Sequence, residues 1–279
     1  MKFAALLTAG TLSLAVTTLH AQTDVSPNLG AGVGSFTTDR YDPASFTVNP
    51  GVVQGRNDVL QITINTTTNA ANRPAGFGSS FYNTQGKQTT VNTAGSWLFR
   101  SDLFVLDDWR VPAKTGFVRT DMWATATSGA SFATVSAYPI IGFSNFGPGG
   151  ARFRGWNIVG AGGWIDFAST VNFGAWNTLE MSFDAPSNTF TYLVNGIVAT
   201  QVSDVGPPPT TGVANVMYQA FNFNDANIQG GPPNLDNPDY TVNWSNTAVV
   251  PEPSTYALMA TGLSFLAAAA RRRRRAVAA

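Results

Sequence analysis

Two short stretches of this chain alternate charged residues with an indole. In FVRTDMW, Arg119, Asp121 and Trp123 are spaced by two, and in ARFRGWNI so are Arg152, Arg154 and Trp156. On an extended strand, residues two apart project from one face. A guanidinium fork matches a carboxylate, and an indole ring stacks on the apolar face of a sugar. If the two strands belong to one sheet, the six residues form a candidate carbohydrate-binding patch, suited to an acidic polysaccharide. The competing reading has the rings close sandwich edges while the charges pair across strands.

Catalytic chemistry is scarce elsewhere. The one histidine, His20, falls in an N-terminal leader, so the body has no imidazole for a Ser-His-Asp or Cys-His mechanism. Cysteine is absent, which excludes disulfides and thiolate metal sites. Apart from Glu252, the sole glutamate is Glu180. On an extended strand Glu180 and Asp184 would share a face about 13 Å apart, at about 3.3 Å per residue. Glycosidase carboxyl pairs stand about 5 Å or about 6.5–9.5 Å apart, so this pair fits neither arrangement. Glu180 reads as a solvent-facing strand residue, while Asp pairs from distant strands stay open. Asp225, Asp236 and Asp239, with Asn222, Asn224, Asn227 and Asn237, make an oxygen-rich region. Calcium takes such ligands, but the spacing fits no EF-hand loop, and Asn and Asp are also ordinary turn residues. No catalytic residue, metal ligand or other cofactor is assigned.

The elements that must position these residues are strands. Leu60, Ile62 and Ile64 alternate onto one face, as do Trp97, Phe99, Leu103 and Val105. Leu179, Met181 and Phe183 alternate too, then Phe190, Tyr192 and Val194, then Tyr240, Val242 and Trp244. This is the all-β pattern, punctuated by Gly, Asn, Pro, Ser and Thr. DAPSN at 184–188 and Asn195-Gly196 are the turns of a three-strand meander over about 176–201, the second being the favoured two-residue hairpin turn. The prolines of 206–211 exclude a central strand there.

Both ends look like processing segments. Lys2, the apolar run 3–16 and small Ala21 come in signal-peptide order, predicting cleavage after Ala21. Near the C-terminus, the uncharged run 257–270 is followed by Arg271, Arg272, Arg273, Arg274 and Arg275, a block that stops translocation. As a helix the run would reach about 21 Å, against a hydrocarbon core of about 30 Å, which suits a transient inner-membrane anchor. Between these segments stand ten basic and fifteen acidic residues, a net charge of about −5. Nucleic acid is therefore not expected as a partner.

The C-terminal segment resembles the PEP-CTERM sorting signal recognised by exosortases. Val250, Pro251, Glu252, Pro253 and Ser254, the apolar run and the arginine cluster occur in that family's order. The resemblance implies that Pro251, Glu252 and Pro253 are the recognition element, with an exosortase and the export machinery as partners. The body, over about Tyr82 to Val249, is similar to concanavalin-like lectin/glucanase sandwiches, a resemblance carried by AWNTLEMSFDAPSNTFTYLVNGIVATQ and the closing YTVNWSNTAV. That resemblance implies an antiparallel two-sheet jelly roll, a fold that hosts lectins, glycosidases, lyases and inert spacers.

The expected organisation is a signal peptide at 1–21, a β-sandwich at 22–249 and a sorting signal at 250–279, with the apolar run as a helix. The expected function is that of an exported surface or matrix protein of a Gram-negative bacterium, associating with exopolysaccharide without catalysis. A glycosidase using Asp carboxylates and a purely structural matrix protein are the alternatives.

Overall fold

A computed structural model of the protein describes residues 25–65, 73–78, 80–111, 116–159, 162–223 and 239–251. The signal-peptide segment, Glu252, Pro253, the apolar run and the five C-terminal arginines lie outside them. So do Asp225, Asp236, Asn224, Asn227 and Asn237.

Fifteen strands follow one another with only short 3-10 turns between some of them. They are β1 (Thr37–Thr38), β2 (Ser45–Asn49), β3 (Val59–Ile64), β4 (Thr84–Ala94), β5 (Trp97–Val105), β6 (Arg119–Ser128), β7 (Thr134–Ala137) and β8 (Ile140–Ser144). The remainder are β9 (Arg152–Asn157), β10 (Gly163–Asp166), β11 (Ala175–Asp184), β12 (Thr189–Val194), β13 (Ile197–Ser203), β14 (Gly212–Phe221) and β15 (Tyr240–Pro251). One sheet runs β1-β4-β14-β6-β8-β9-β10, with β7 also on β6; the other runs β13-β12-β11-β5-β15-β3-β2. Every pairing is antiparallel. The architecture is the expected two-sheet sandwich.

Alternation explains the packing. Leu60, Ile62, Trp97, Phe99, Met181, Phe183, Tyr192, Val194 and Trp244 are all buried between the sheets, as their spacing predicts. The meander is β11, β12 and β13, and its second turn carries positive φ at both Asn195 (53°) and Gly196 (76°), the backbone that an Asn-Gly turn supplies cheaply.

Polar groups inside the sandwich hold the two sheets in register. From the seven-stranded sheet, Trp244 Nε1 donates to Thr120 Oγ1 on β6 at 3.1 Å. Tyr240 Oη donates to the Arg119 carbonyl of the same strand at 3.0 Å, and Tyr192 Oη to the Trp156 carbonyl of β9 at 3.0 Å. Burial pushes the Tyr240 phenol far above its ordinary pKa, so it stays a donor. Removing such a partner would strand a buried acceptor. The bonds therefore fix from beneath the two strands that carry the charged and aromatic residues.

Candidate functional site

Inward alternation on β6 puts Met122, Ala124 and Ala126 into the core, which turns Arg119, Asp121 and Trp123 outward. β8 lies between β6 and β9, and its register aligns the two stretches. Arg119 pairs with Ser144, and Ser144 with Arg152; Asp121 pairs with Gly142, and Gly142 with Arg154. Trp123 pairs with Ile140, and Trp156 with Trp164. On the far side of β6, Gln219 and Met217 of β14 stand beside Asp121 and Trp123. The six residues singled out from sequence thus share one outer face, in rows that cross several strands.

Their environments differ. Trp123 is 3% exposed and packs with Ile140 and Met217, with Trp156 and Trp164 against the cluster. The Arg40 guanidinium lies 4.8 Å from the Trp123 ring centroid. Arg40 is itself held by Asp39 (2.7 Å) and by Thr84 Oγ1 (2.7 Å). Trp123 is therefore a packing residue and offers no free ring face. Trp156 and Trp164 are half-buried and meet edge-on, with centroids 5.2 Å apart. On this face the partly exposed indoles are therefore Trp156 and Trp164 rather than Trp123.

The three arginines also divide. Arg119 Nε pairs with Asp121 Oδ2 at 2.7 Å. Arg152 donates to the carbonyls of Phe146 (2.9 Å) and Gly150 (2.7 Å) and pairs with Asp166 at 2.6 Å, so it holds the β8–β9 loop. Arg154 is 6% exposed, and among the described residues it makes no ion pair and its Nε has no hydrogen-bond partner. Its guanidinium stacks on Trp164, 3.8 Å from the centroid, and that of Arg119 reaches the same ring at 4.6 Å. Burial, then the neighbouring Arg119 charge, pulls the Arg154 pKa down from 12.5 to about 9 against the weaker opposing pull of Asp121.

Sequence reasoning missed Gly142, Trp164, Gln219 and Arg40. A Cβ at Gly142 would stand 2.3 Å from Asp121 Oδ1 and 2.2 Å from the Thr120 carbonyl oxygen, so only glycine lets the carboxylate lie over β8. Trp164 had a signal: GWID alternates Trp164 with Asp166 as the two recognised stretches do. Glu180 lies on the other sheet, 3.8 Å from Arg100. Asp184 accepts from the Ser187 amide at 3.1 Å and so serves a turn. Of the oxygen-rich region, Asn222 is buried beside Asn83, and Asp239 Oδ2 accepts from Asn65 Nδ2 at 2.7 Å.

The last strand ends at the C-terminal motif. Val249 and Pro251 are buried on β15, paired with Phe99 and Trp97 of β5, and the Val249 amide donates to Ser26 Oγ at 2.7 Å. From Val249 onward the sequence matches a known signal. Residues 249–275 are a PEP-CTERM protein-sorting motif. The PEP-CTERM motif marks an exported protein handled by exosortase sorting to the envelope or surface of a Gram-negative cell. Its first three residues belong to the sandwich. Among the described residues no helix is long and apolar enough to cross a membrane.

No curated protein matches the chain in sequence. Among solved structures it is similar to a sialidase (10% identity, TM-score 0.44), covering 79% of this chain but only 17% of that one. It is also similar to an endo-β-1,4-glucuronan lyase from the fungus Trichoderma reesei (12% identity, TM-score 0.46, 77% of this chain and 90% of that one). A third is the Bacillus licheniformis β-glucanase (11% identity, TM-score 0.42, 78% and 92%).

Proposed function

We propose that this PEP-CTERM protein associates with exopolysaccharide at the cell surface or in the extracellular matrix, without catalysis, through the outer face of its eight-stranded sheet. The observation that supports this reading is the alignment of Arg119, Asp121, Arg154 and Trp156 across β6, β8 and β9, with Trp164 beside them. Half-exposed indoles next to guanidinium groups and hydrogen-bond acceptors suit an acidic, polyhydroxylated polymer. The acidic body gives no long-range attraction, so each site binds weakly and retention gains from repeated contacts along the polymer. In the same reading the leader is cleaved after Ala21. The apolar run and arginine block then hold the chain transiently in the inner membrane while the exosortase recognises Pro251, Glu252 and Pro253.

Affinity electrophoresis in gels containing the host's own exopolysaccharide tests the binding. The parent protein is expected to be retarded and Trp156→Ala to migrate faster, having lost on the order of 1 kcal/mol. A parent that runs as in a plain gel leaves the purely structural matrix role in its place. Steady release of reducing ends would replace binding with hydrolysis. Changing Pro251, Glu252 and Pro253 to Ala is expected to trap the unprocessed chain in the inner membrane; normal release would remove the motif from the account.

A further inference from the structure

Arg154 is a buried cation that makes no ion pair among the described residues. A guanidinium buried without a counter-charge weakens a fold unless something pairs with it. Both neighbouring carboxylates are engaged: Asp121 with Arg119, and Asp166 with Arg152. Arg154 therefore remains a surplus positive charge on its face.

Its row has a second property. Beyond Gly142, Asp121 Oδ1 and Gln219 Oε1 are buried and have no partner among the described residues. The other oxygen of Asp121 is taken by Arg119, and Gln219 Nε2 donates to Asp39 at 2.6 Å. The row thus presents one cationic donor at β9 and two bare acceptors at β6 and β14, across a strand position with no side chain. An inorganic anion would meet donors alone in a site built for it; two acceptors would repel it. A sugar acid brings both kinds of group, a carboxylate for the fork and hydroxyl donors for the acceptors.

We infer that Arg154, Asp121 and Gln219 form a subsite for one uronic-acid residue of an acidic polysaccharide. The carboxylate sits on Arg154, the ring hydroxyls donate to Asp121 Oδ1 and Gln219 Oε1, and Trp156 flanks the sugar. Trp164, against which both Arg119 and Arg154 lie, covers the Arg154 end of the row and turns aside on binding. It stands on a four-residue edge strand, directly after Gly162 and Gly163, whose φ values are 76° and 151°. This subsite rests on the proposed association with exopolysaccharide and specifies the sugar that is read.

The test uses the full secreted protein and three probes: polygalacturonate, its carboxyl-reduced form and dextran sulfate. Binding to polygalacturonate is expected, at least tenfold weaker to the reduced polymer, and weaker again to dextran sulfate, which lacks the planar carboxylate. Arg154→Met should lose at least tenfold in affinity for polygalacturonate while its melting temperature holds, and Arg154→Lys should keep only part of the binding. Indole emission should change on binding to the parent, and by clearly less in Trp164→Phe, where only Trp156 remains beside the sugar. Equal binding to the reduced polymer, or an unaffected Arg154→Met, overturns the subsite while leaving the exopolysaccharide reading intact. Tightest binding to dextran sulfate overturns it in favour of a charge-only site. Failure to bind both polygalacturonate and the host polymer removes subsite and reading together.

Discussion

The two outer faces of the sandwich are both polar, yet they are finished differently. On the seven-stranded sheet, Asp102 accepts from Arg56 (2.6 Å), Asn246 (2.8 Å) and Thr178 (2.7 Å). Beside it Gln61 donates to Asn243 at 2.8 Å, and Thr63 and Thr241 share a bond of 2.8 Å. On the eight-stranded sheet, Arg154, Asp121 and Gln219 each keep an unpartnered buried atom. A closed polar network gives rigidity and asks for nothing further. Buried groups left open cost stability, and sites where function is placed are where such a cost is tolerated. The contrast supports the proposed reading, in which the eight-stranded face is the one that meets glycan.

Substitutions on each face sharpen that contrast. The largest expected effect is on Trp123, which is covered by Arg40: Trp123→Ala should lower stability by about 4 kcal/mol through the void it leaves, read by denaturant unfolding. A change confined to ligand affinity would return Trp123 to the binding surface. Next is Asp102→Ala, which breaks an ion pair and two hydrogen bonds of the closed network. A loss of about 3 kcal/mol is expected, with retardation by exopolysaccharide unchanged once the variant is folded. Gly142→Ala should cost about 2 kcal/mol, since the added methyl meets backbone as well as Asp121. It should also abolish binding, because the displaced carboxylate lies in the proposed row. The smallest stability effect belongs to Arg154→Met: a change within about 1 kcal/mol in thermal unfolding, because no pairing is broken and a buried charge is removed. A large loss there would mean that Arg154 is structural and that the two faces do not differ.

The fold was legible because each strand carries its own inward set. Leu60 and Ile62, or Phe190 and Tyr192, need no knowledge of their neighbours to announce a period of two. The two turns at 184–188 and 195–196 were readable for the same local reason. The site was legible only in part. Arg119 to Trp123 and Arg152 to Trp156 show their pattern within one strand, but their meeting depends on β8, whose Gly142 and Ser144 carry no pattern of their own. The burial of Trp123 could not be read from its strand alone, because Arg40, which caps it, comes from a distant segment. Gln219 enters through β14, in a register that no single strand discloses. The unpaired state of Arg154 is a property of where Asp121 and Asp166 are engaged, which spacing cannot express.

The central claim is that glycan meets the eight-stranded sheet and not its opposite, and indole NMR addresses it directly. The chain has seven tryptophans, and Trp176 serves as the internal reference: it lies on the seven-stranded sheet, its Nε1 bonded to the Gln54 carbonyl at 2.9 Å. Titrating the host exopolysaccharide into 15N-labelled protein should shift or broaden the Trp156 and Trp164 indole signals first and leave Trp176 in place. Perturbation of Trp176 with Trp156 and Trp164 unmoved would contradict the account.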